Sequence, residues 1–394
     1  MEAVTDVVFR HVVKQAGAPD VFFTEFANAT GWVHAGDKAI AGRLVKTDDE
    51  HPLVAQIWGG EPGDMEQFAA HCAQLGFDSI DINMGCPAKS AIKSGGAALI
   101  RRPDVAVAAI AAAKTAGLPV SVKTRLGYTY VDEWREWLST LLAQNLANLT
   151  IHLRTKKEMS KVPAHYELID DIVKLRDEIA PQTLLTINGD IRDRTHGLEL
   201  VRQHPGINGV MIGRGIFSDP FCFRASRAVS QKKSGLALAG PGLFSDDTRE
   251  MGNTYAKLGA VDCSRIVNTP AERSRSISSG DASEKSTPAQ ERGADDADFA
   301  DDVREASEAI RKEHSEEAEL SITTRKTELI ALLQYHLDLF DHYQPTLGRP
   351  FETLKHFFKI YIRDFDGAKE LREKLMHTKN TSEVRQILEE IQYL

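Results

Sequence analysis

The stretch from Pro19 to Gly215 alternates short apolar segments with longer amphipathic ones, and this alternation restricts the fold more than any other feature of the 394 residues. Such a pattern is typical of repeated βα units around a parallel sheet. The predicted strands are Val21–Phe26, Pro52–Trp58, Ser79–Asn83, Pro119–Lys123, Leu149–His152, Leu184–Asn188 and Gly209–Ile212. Their near-continuous apolar character is expected for parallel strands covered on both faces. The predicted helices between them include Asp64–Leu75, Pro103–Ala116, Asp132–Gln144, Ala164–Ile179 and Arg192–Gln203.

Polar residues follow each predicted strand. In parallel α/β barrels the functional groups lie at the C-terminal ends of the strands. A full circuit of polar strand ends therefore favours a closed (β/α)8 barrel over an open doubly wound sheet, and it predicts a site across the barrel mouth. The residues of this circuit are Thr24-Glu25, Gln56, Asn83, Lys123 with Arg125, His152 with Arg154, Asn188-Gly189-Asp190 and Gly213-Arg214-Gly215.

The glycines of the last two strand ends predict a phosphate site. Gly189 and the Gly213-Arg214-Gly215 segment lie where barrels often hold a phosphate through backbone N–H groups, and Arg214 adds a charged donor. Tight turns explain either glycine motif taken alone. Both motifs together, with an arginine, favour the phosphate site.

Three further residues predict redox and proton-transfer chemistry. Cys86 lies in an Asn-Met-Gly-Cys-Pro turn that presents its sulfur outward, although a lone cysteine is more often a small buried apolar residue. A Cys86 thiol placed near Asn83, Lys123 and His152 could act as a proton donor, because its neighbours would tune its acidity. For Lys123 and for His152 taken singly, an ion pair with a loop carboxylate is the alternative role. Together the two residues could supply positive charge and a hydrogen bond to the N1–C2 edge of a reduced flavin, and Gln56 could pair with the pyrimidine edge of the same ring.

The chain divides into three predicted regions: a barrel at 1–230, a low-complexity acidic linker at 231–320 and a helical domain at 321–394. The middle region has 12 basic and 19 acidic residues, so it holds most of the net charge of −9 and is expected to be mostly disordered. The third region shows helical periodicity over Thr327–His342, from Pro350 through Tyr361, over Gly367–Met376 and over Ser382–Ile391.

Composition narrows the class of protein. The four cysteines form no CxxC pair and no metal-ligand spacing, so a disulfide framework and a metal site are not expected. No apolar run reaches the roughly 18 residues that span a bilayer. We expect a cytoplasmic monomer that binds neither a membrane nor a metal.

Several motifs resemble those of the tRNA-dihydrouridine synthases, in order, over about residues 1–225. The most specific is Asp-Ile-Asn-Met-Gly-Cys-Pro at 81–87, and the others include Thr-Glu-Phe at 24–26, Lys-Thr-Arg-Leu-Gly at 123–127, Asn-Gly-Asp-Ile at 188–191 and Ile-Gly-Arg-Gly at 212–215. Residues 356–376 also resemble that family's helical domain.

The resemblance implies an FMN-dependent, NADPH-consuming reduction of uridine in tRNA to 5,6-dihydrouridine, with Cys86 delivering a proton to C5. It implies FMN contacts from Gln56, Lys123, His152, Asn188, Gly189, Asp190, Gly213 and Arg214, and a uracil contact from Asn83. The expected phosphate contacts of the tRNA come from Lys355, Lys359 and Arg363, which the four-residue spacing puts on one helix face, and from Lys89, Lys93, Arg154, Lys156, Lys157 and Lys161 at the rim. A solvated helix face is the alternative for the first three.

The family's first strand ends in Ala-Pro-Met, and Met1 stands at the last of these positions, so we expect a barrel that lacks one strand. Two other functions remain open: an FMN-dependent barrel reductase of a free pyrimidine, and a catalytically inactive RNA-binding relative.

Overall fold

A computed structural model describes residues 3–40, 42–224 and 323–392, and the predicted acidic linker at 231–320 lies outside them. Its strands are β1 (Phe22–Phe23), β2 (Ala27–Asn28), β3 (Leu53–Trp58), β4 (Ser79–Asn83), β5 (Val120–Arg125), β6 (Asn148–His152), β7 (Leu184–Asn188) and β8 (Gly209–Met211). All pair in parallel, in the order β1-β3-β4-β5-β6-β7-β8, and β2 also pairs with β3. The described residues thus confirm the predicted (β/α)8 barrel with one strand missing, and β1 and β8 form the two ends of the curled sheet.

Helices cover the outer face of this sheet. The longer ones are α1 (Val7–Gly17), Pro62–Gln74, Pro103–Lys114, Trp134–Leu142, Ile169–Ile179 and Arg194–Gln203; the shorter ones are Ala29–Ala35, Asp37–Ile40 and Gly215–Ser218, with 3-10 turns at Ala91–Lys93, Gly96–Arg101, Val131–Glu133 and Tyr166–Leu168. Side-chain caps fix where some of these helices begin. The Asp6 carboxylate accepts a hydrogen bond from the N–H of Phe9, and the Asp193 carboxylate accepts one from the N–H of His196. The predicted helices are confirmed, with ends displaced by a few residues.

The first predicted strand, Val21–Phe26, is wrong as one continuous strand. The ladder breaks after Phe23 because the Thr24 hydroxyl replaces a backbone carbonyl as the acceptor for the N–H of Gln56, at 3.0 Å. The same hydroxyl donates to the Glu25 carbonyl at 2.8 Å, which bends the chain between β1 and β2. A side chain that competes with the backbone for a ladder hydrogen bond is not visible in a hydropathy pattern.

The near-continuous apolar character predicted for the strands is also wrong for their inner face. Inward positions alternate with outward ones, and on β4 to β7 the inward positions are polar. They include Ser79, Asp81, Asn83, Ser121, Lys123, Asn148, Thr150, His152, Thr186 and Asn188. The outward positions form the core with the helices, as Ile80, Ile82, Val122 and Ile151 do. Polar side chains therefore predominate at the inward positions of β4 to β7, with Leu184 as an apolar exception.

The C-terminal region is helical at 323–347, Glu352–Lys355, Phe358–Tyr361, Ala368–Met376 and Thr381–Gln392. The single helix predicted from Pro350 through Tyr361 is wrong, because it breaks at His356–Phe357. At the break the N–H of Phe357 bonds to the Leu354 carbonyl three residues back and that of Ile360 to the Phe357 carbonyl, which is the tighter 3-10 pattern.

These helices pack on α1 through an apolar cluster in which the Phe9 and Phe357 rings lie 4.8 Å apart. Arg349 adds a polar link: it pairs with Asp6 at 2.8 Å and with the buried Glu25, which lies between β1 and β2. Glu25, predicted at the barrel rim, therefore connects the barrel to the C-terminal helices.

Candidate active site

The barrel encloses a cavity of about 860 Å³. This volume lies within the roughly 300–1,000 Å³ of small-molecule and cofactor sites. The cavity also extends along the inner face of the sheet to residues at the starts of the strands, among them Ser79, Ser121 and Asn148. The predicted site residues that line it are Gln56, Asn83, Cys86, Lys123, His152, Asn188, Gly189, Asp190, Gly213 and Arg214.

Sheet register brings the central residues together. Asn83 lies opposite Lys123, and His152 lies opposite Asn188. The Lys123 ammonium donates to Asn188 Oδ1 at 3.2 Å, while Asn188 Nδ2 donates to the Met211 carbonyl at 2.8 Å. Because both ends of the Asn188 amide are engaged, its orientation is fixed and it holds the Lys123 ammonium in the cavity.

Burial perturbs the ammonium of Lys123. Its pKa falls from 10.5 to about 8, first because burial penalises the charged form and then because Arg125 lies nearby; Asp81 opposes the shift. Lys123 is therefore still mostly charged at pH 7, and a negative group bound beside it would stabilise that charge.

His152 is neutral. Burial, followed by the charges of Lys123, Arg125, Arg154 and Arg214, lowers its pKa to about 2. Arg154 Nη1 lies 3.1 Å from His152 Nε2, and an arginine can only donate, so Nε2 accepts and the imidazole proton is on Nδ1. His152 therefore offers a hydrogen-bond donor and no charge.

Arg154, Asp190 and Arg214 form a charged group beside His152. Arg154 pairs with the Asp190 carboxylate, which also accepts from the Ala164 N–H at 3.0 Å and lies 3.5 Å from Arg214. Arg154 is only 2% exposed, so its predicted place in the exposed rim is wrong. Arg214 remains 66% exposed, and Asp190 fixes the position of its guanidinium group.

The turn at Gly189 and Asp190 makes this arrangement possible. Gly189 has φ +126° and Asp190 has φ +51°, both in the region that disfavours ordinary side chains. A Cβ at Gly189 would also lie 3.1 Å from the Ala164 Cβ and 3.2 Å from His152 Cδ2. Glycine is required there because the backbone turns back against His152 and directs the Asp190 carboxylate toward Arg154.

Cys86 is held by a chain of side-chain amides that begins in the barrel interior. Asp81 accepts from Gln56 Nε2 at 2.7 Å, Gln56 Oε1 accepts from Asn83 Nδ2 at 3.2 Å, and Asn83 Oδ1 accepts from the Cys86 N–H at 3.0 Å. Asp81 is fully buried, and this burial raises its pKa. Sequence reasoning missed Asp81, although its spacing two residues before Asn83 on β4 places both on the inward face.

The three cysteines among the described residues differ in exposure. Cys86 is half-buried at the cavity, whereas Cys72 and Cys222 are buried. Burial raises the pKa of each buried thiol to about 12. A reactive thiol must be accessible, so Cys86 is the candidate reagent of the described part of the chain.

Arg125 fixes the loop that carries Cys86. Its guanidinium donates to the carbonyls of Gly85 at 2.7 Å, Thr155 at 3.1 Å and Met159 at 3.2 Å. The loops that follow β4 and β6 are thereby bound to one side chain at the barrel mouth. The sequence gives only a weak signal for this role, because it shows no more than a second cation two residues after Lys123.

The three C-terminal cations lie outside the cavity lining and do not share one continuous helix. Lys355 donates to the Met376 carbonyl at 3.0 Å and pairs with Glu352, and Arg363 donates to the carbonyls of Phe217 and Ser218. Lys359 is exposed, with its ammonium 5.6 Å from the Phe217 ring. The predicted common helix face is therefore wrong, because the helix breaks at His356–Phe357 and Arg363 lies beyond its last residue, Tyr361.

Other lysines predicted at the rim are accessible: Lys89, Lys93, Lys157 and Lys161 are exposed, and Lys156 is half-buried. Residues 3–40, 42–224 and 323–392 contain no group of three or more His, Cys, Asp or Glu side chains placed to hold a metal ion. In the same ranges, no helix has both the length and the apolar character to span a bilayer.

Comparison with known proteins identifies the family. The profile of the dihydrouridine synthase family (Dus) matches residues 1–241. The probable tRNA-dihydrouridine synthase 2 of Bacillus subtilis is 44% identical over 394 residues, which are 100% of this chain and 92% of that protein. A probable tRNA-dihydrouridine synthase of Staphylococcus aureus is 42% identical, over 100% of this chain and 91% of its own length. The chain therefore belongs to the dihydrouridine synthase family.

Proposed function

We propose that this protein reduces the C5–C6 double bond of uridines in tRNA to give 5,6-dihydrouridine, using FMN and NADPH as the reductant. The family and the names of the relatives support the reaction and the substrate. The single observation that carries the proposal is the cavity lined by Cys86, Lys123 and His152, since one space holds a proton donor, a cation and a neutral hydrogen-bond donor.

The donors of the cavity fit FMN. Arg214 and the backbone N–H groups from Gly213 onward suit its phosphate, and a Cβ added at Gly213 would meet only Asn188 Nδ2 at 4.0 Å, so the backbone there is open to a ligand. Asp190 accepts three donors of the protein, so it positions Arg214 rather than binding the phosphate itself.

Lys123 and His152 would meet the polar edge of the flavin ring. The Lys123 ammonium offers a positive charge, and the Nδ1–H of neutral His152 offers a hydrogen bond. Gln56 retains one N–H and acceptor capacity beyond its bonds to Asp81 and Asn83, which suits the pyrimidine edge of the ring.

Reduced FMN, when bound, supplies a hydride that adds to C6 of the uracil. Cys86 donates its thiol proton to C5, so the two transfers together add one hydrogen to each carbon of the double bond. The resulting thiolate takes a proton back from solvent. Asn83 holds the Cys86 backbone and directs the sulfur toward the cavity, where the uracil ring must lie.

The uridine must leave its stack to reach Cys86. Extruding a base costs a few kcal/mol, and least where the nucleotide is already in a loop, as many tRNA uridines are. The exposed Lys89, Lys93 and Lys161 near the mouth and Lys359 on the C-terminal helices would contact phosphates.

Nucleoside mass spectrometry tests the proposal. Purified protein with FMN and NADPH is incubated with unmodified tRNA, and in parallel with free uracil, orotate and uridine. Dihydrouridine in the tRNA digest supports the assignment. Reduction of only the free pyrimidines would favour a small-molecule reductase, and a protein that binds tRNA without flavin or product would be an inactive relative.

A further inference from the structure

Three segments at the barrel mouth, which follow β4, β5 and β6, carry an aromatic and cationic surface that the proposed uridine reduction does not use. Tyr128 and Tyr130 follow β5, Lys156 and Lys157 follow β6, and Arg101 ends the 3-10 turn after β4. Tyr130 is 65% exposed, the largest exposed fraction among the exposed large apolar side chains of the described residues. We call these five residues the rim ladder.

Each tyrosine of the rim ladder has a cation on its ring. The Arg101 guanidinium carbon lies 3.8 Å and the Lys156 ammonium 4.9 Å from the centroid of Tyr128, and the Lys157 ammonium lies 5.7 Å from that of Tyr130. All three distances are within the roughly 6 Å of a cation–π contact. Aromatic rings and cations therefore lie against one another across the segments that follow β4, β5 and β6.

The backbone keeps the rim ladder ordered. The N–H groups of Lys156 and Lys157 donate to the carbonyls of Gly127 and Tyr128, each at 2.9 Å. The Glu133 carboxylate accepts from the backbone N–H groups of three consecutive residues, 128–130. The exposed ring of Tyr130 thus projects from a fixed turn, so little conformational freedom is lost when a ligand packs on it.

The rim ladder adjoins the Cys86 loop. Arg125, three residues before Tyr128, donates to the Gly85 carbonyl and to that of Thr155, one residue before Lys156. One side chain therefore binds the loop of the proposed proton donor and the base of the rim ladder.

We propose that the rim ladder binds the unpaired nucleotide adjacent to the uridine that enters the barrel. Its base stacks on Tyr130, and the flanking phosphates pair with Lys157, Lys156 and Arg101. Proteins bind unpaired nucleotides by stacking the bases on aromatic rings and by placing cations beside the phosphates, and this binding does not require a double helix. The chain's net charge of −9 makes such a local cationic surface a selective contact for phosphates. This inference rests on the proposed RNA substrate.

Two nearby acidic groups are engaged within the protein, whereas Asp132, two residues after Tyr130, is exposed. Glu133 is engaged with backbone N–H groups, and Glu158 pairs with His165 at 3.0 Å. The surface that faces outward from the segments that follow β5 and β6 includes the exposed Tyr130 and Lys157 and the half-buried Tyr128 and Lys156.

Substitutions at Tyr130 test the stacking contact through equilibrium binding of fluorescent tRNA to FMN-loaded protein. Tyr130→Ala and Tyr130→Leu should weaken binding about 10- to 100-fold, the range for loss of one base–aromatic stack, whereas Tyr130→Phe should bind like the wild type. Ile179→Ala, which removes an exposed apolar residue at the far end of the helix Ile169–Ile179, is the matched control and should have no effect.

Substitutions of lysines test the phosphate contact. Lys157→Gln should reduce the slope of log affinity against log salt by about one, and Lys174→Gln, an exposed lysine paired with Asp171, should leave it unchanged. A single-stranded oligonucleotide should compete with tRNA for the wild type better than a duplex of the same length does.

The outcomes separate this inference from the proposed function. Equal tRNA affinity for wild type, Tyr130→Ala and Tyr130→Leu, at unchanged flavin content and unfolding temperature, overturns the rim ladder and leaves the proposed function standing. Failure of the wild type to bind tRNA overturns both. Weakened binding in both ring-deleting variants, restored in Tyr130→Phe, supports the rim ladder.

Discussion

If the cavity holds FMN as proposed, the burial of Lys123 predicts how flavin binding depends on pH. Its pKa of about 8 means that the ammonium is largely protonated at pH 7 and largely neutral at pH 9.5. An anionic ring edge binds the protonated form, so bound flavin raises the pKa of Lys123 back toward its ordinary value. Affinity for reduced FMN is therefore full below pH 8 and falls as pH rises through it.

The size of the effect follows from the same value. Above pH 8 each unit reduces the protonated fraction tenfold, so the dissociation constant should rise about 30-fold between pH 7 and pH 9.5. Anaerobic titration of the flavin-free protein with reduced FMN measures this directly. His152 does not contribute to the slope, because its pKa of about 2 keeps it neutral throughout.

Lys123→Met is the matched variant. It should bind reduced FMN more weakly at pH 7 and show no slope near pH 8. A wild-type dissociation constant that stays flat from pH 7 to pH 9.5, or a slope that persists in Lys123→Met, would refute the placement of this ammonium beside the charged edge of the flavin.

Three other outcomes are expected. Cys86→Ala should retain flavin and tRNA binding but lose about 10² to 10⁴-fold in the rate of single-turnover uridine reduction, as is typical for a lost proton donor, and an unchanged rate would exclude that role. Arg154→Met should destabilise the protein by about 1–3 kcal/mol in denaturant unfolding, because it removes the bonds of a buried guanidinium to Asp190 and to the Val162 carbonyl; Asp190→Asn in the same background should recover part of this loss, since Asp190 keeps only Arg214 and the Ala164 N–H as partners. Lys359→Glu should weaken tRNA binding without changing unfolding, whereas Arg363→Glu should lower stability through its lost bonds to the 217–218 carbonyls, and the opposite pattern would contradict their assignment.

The strand ends of the barrel could be predicted because parallel strands deliver their C-terminal residues to one rim. Gln56, Lys123, His152 and Asn188 were all found by this rule, and all line the cavity. The rule requires only the positions of apolar runs, which hydropathy shows well. It does not require the contacts between strands.

Roles that depend on contacts between distant residues could not be predicted. In the sequence, Arg154 cannot be distinguished from an exposed cation of the rim. In the structure it is buried against Asp190, which lies 36 residues later in the chain. His152 is kept neutral by burial and by the charges of a lysine and three arginines, which its place at a strand end does not reveal. Only the folded arrangement determines which charges surround a titratable group.

The C-terminal cations show a limit of spacing arguments. A period of four places Lys355, Lys359 and Arg363 on one face of an ideal helix. The chain instead changes to a 3-10 turn at Phe357, where buried aromatic residues pack on α1, and Arg363 lies beyond the end of the next short helix at Tyr361. Tertiary packing overrode the local periodicity.

Stopped-flow reoxidation of the flavin tests the central claim most directly. FMN-loaded protein, reduced with NADPH and freed of excess reductant, is mixed without oxygen with unmodified tRNA, and the digest is then analysed for dihydrouridine. We predict that flavin absorbance returns and that one dihydrouridine forms for each flavin oxidised. Flavin that stays reduced in the presence of bound tRNA, or oxidation without dihydrouridine, would contradict the account.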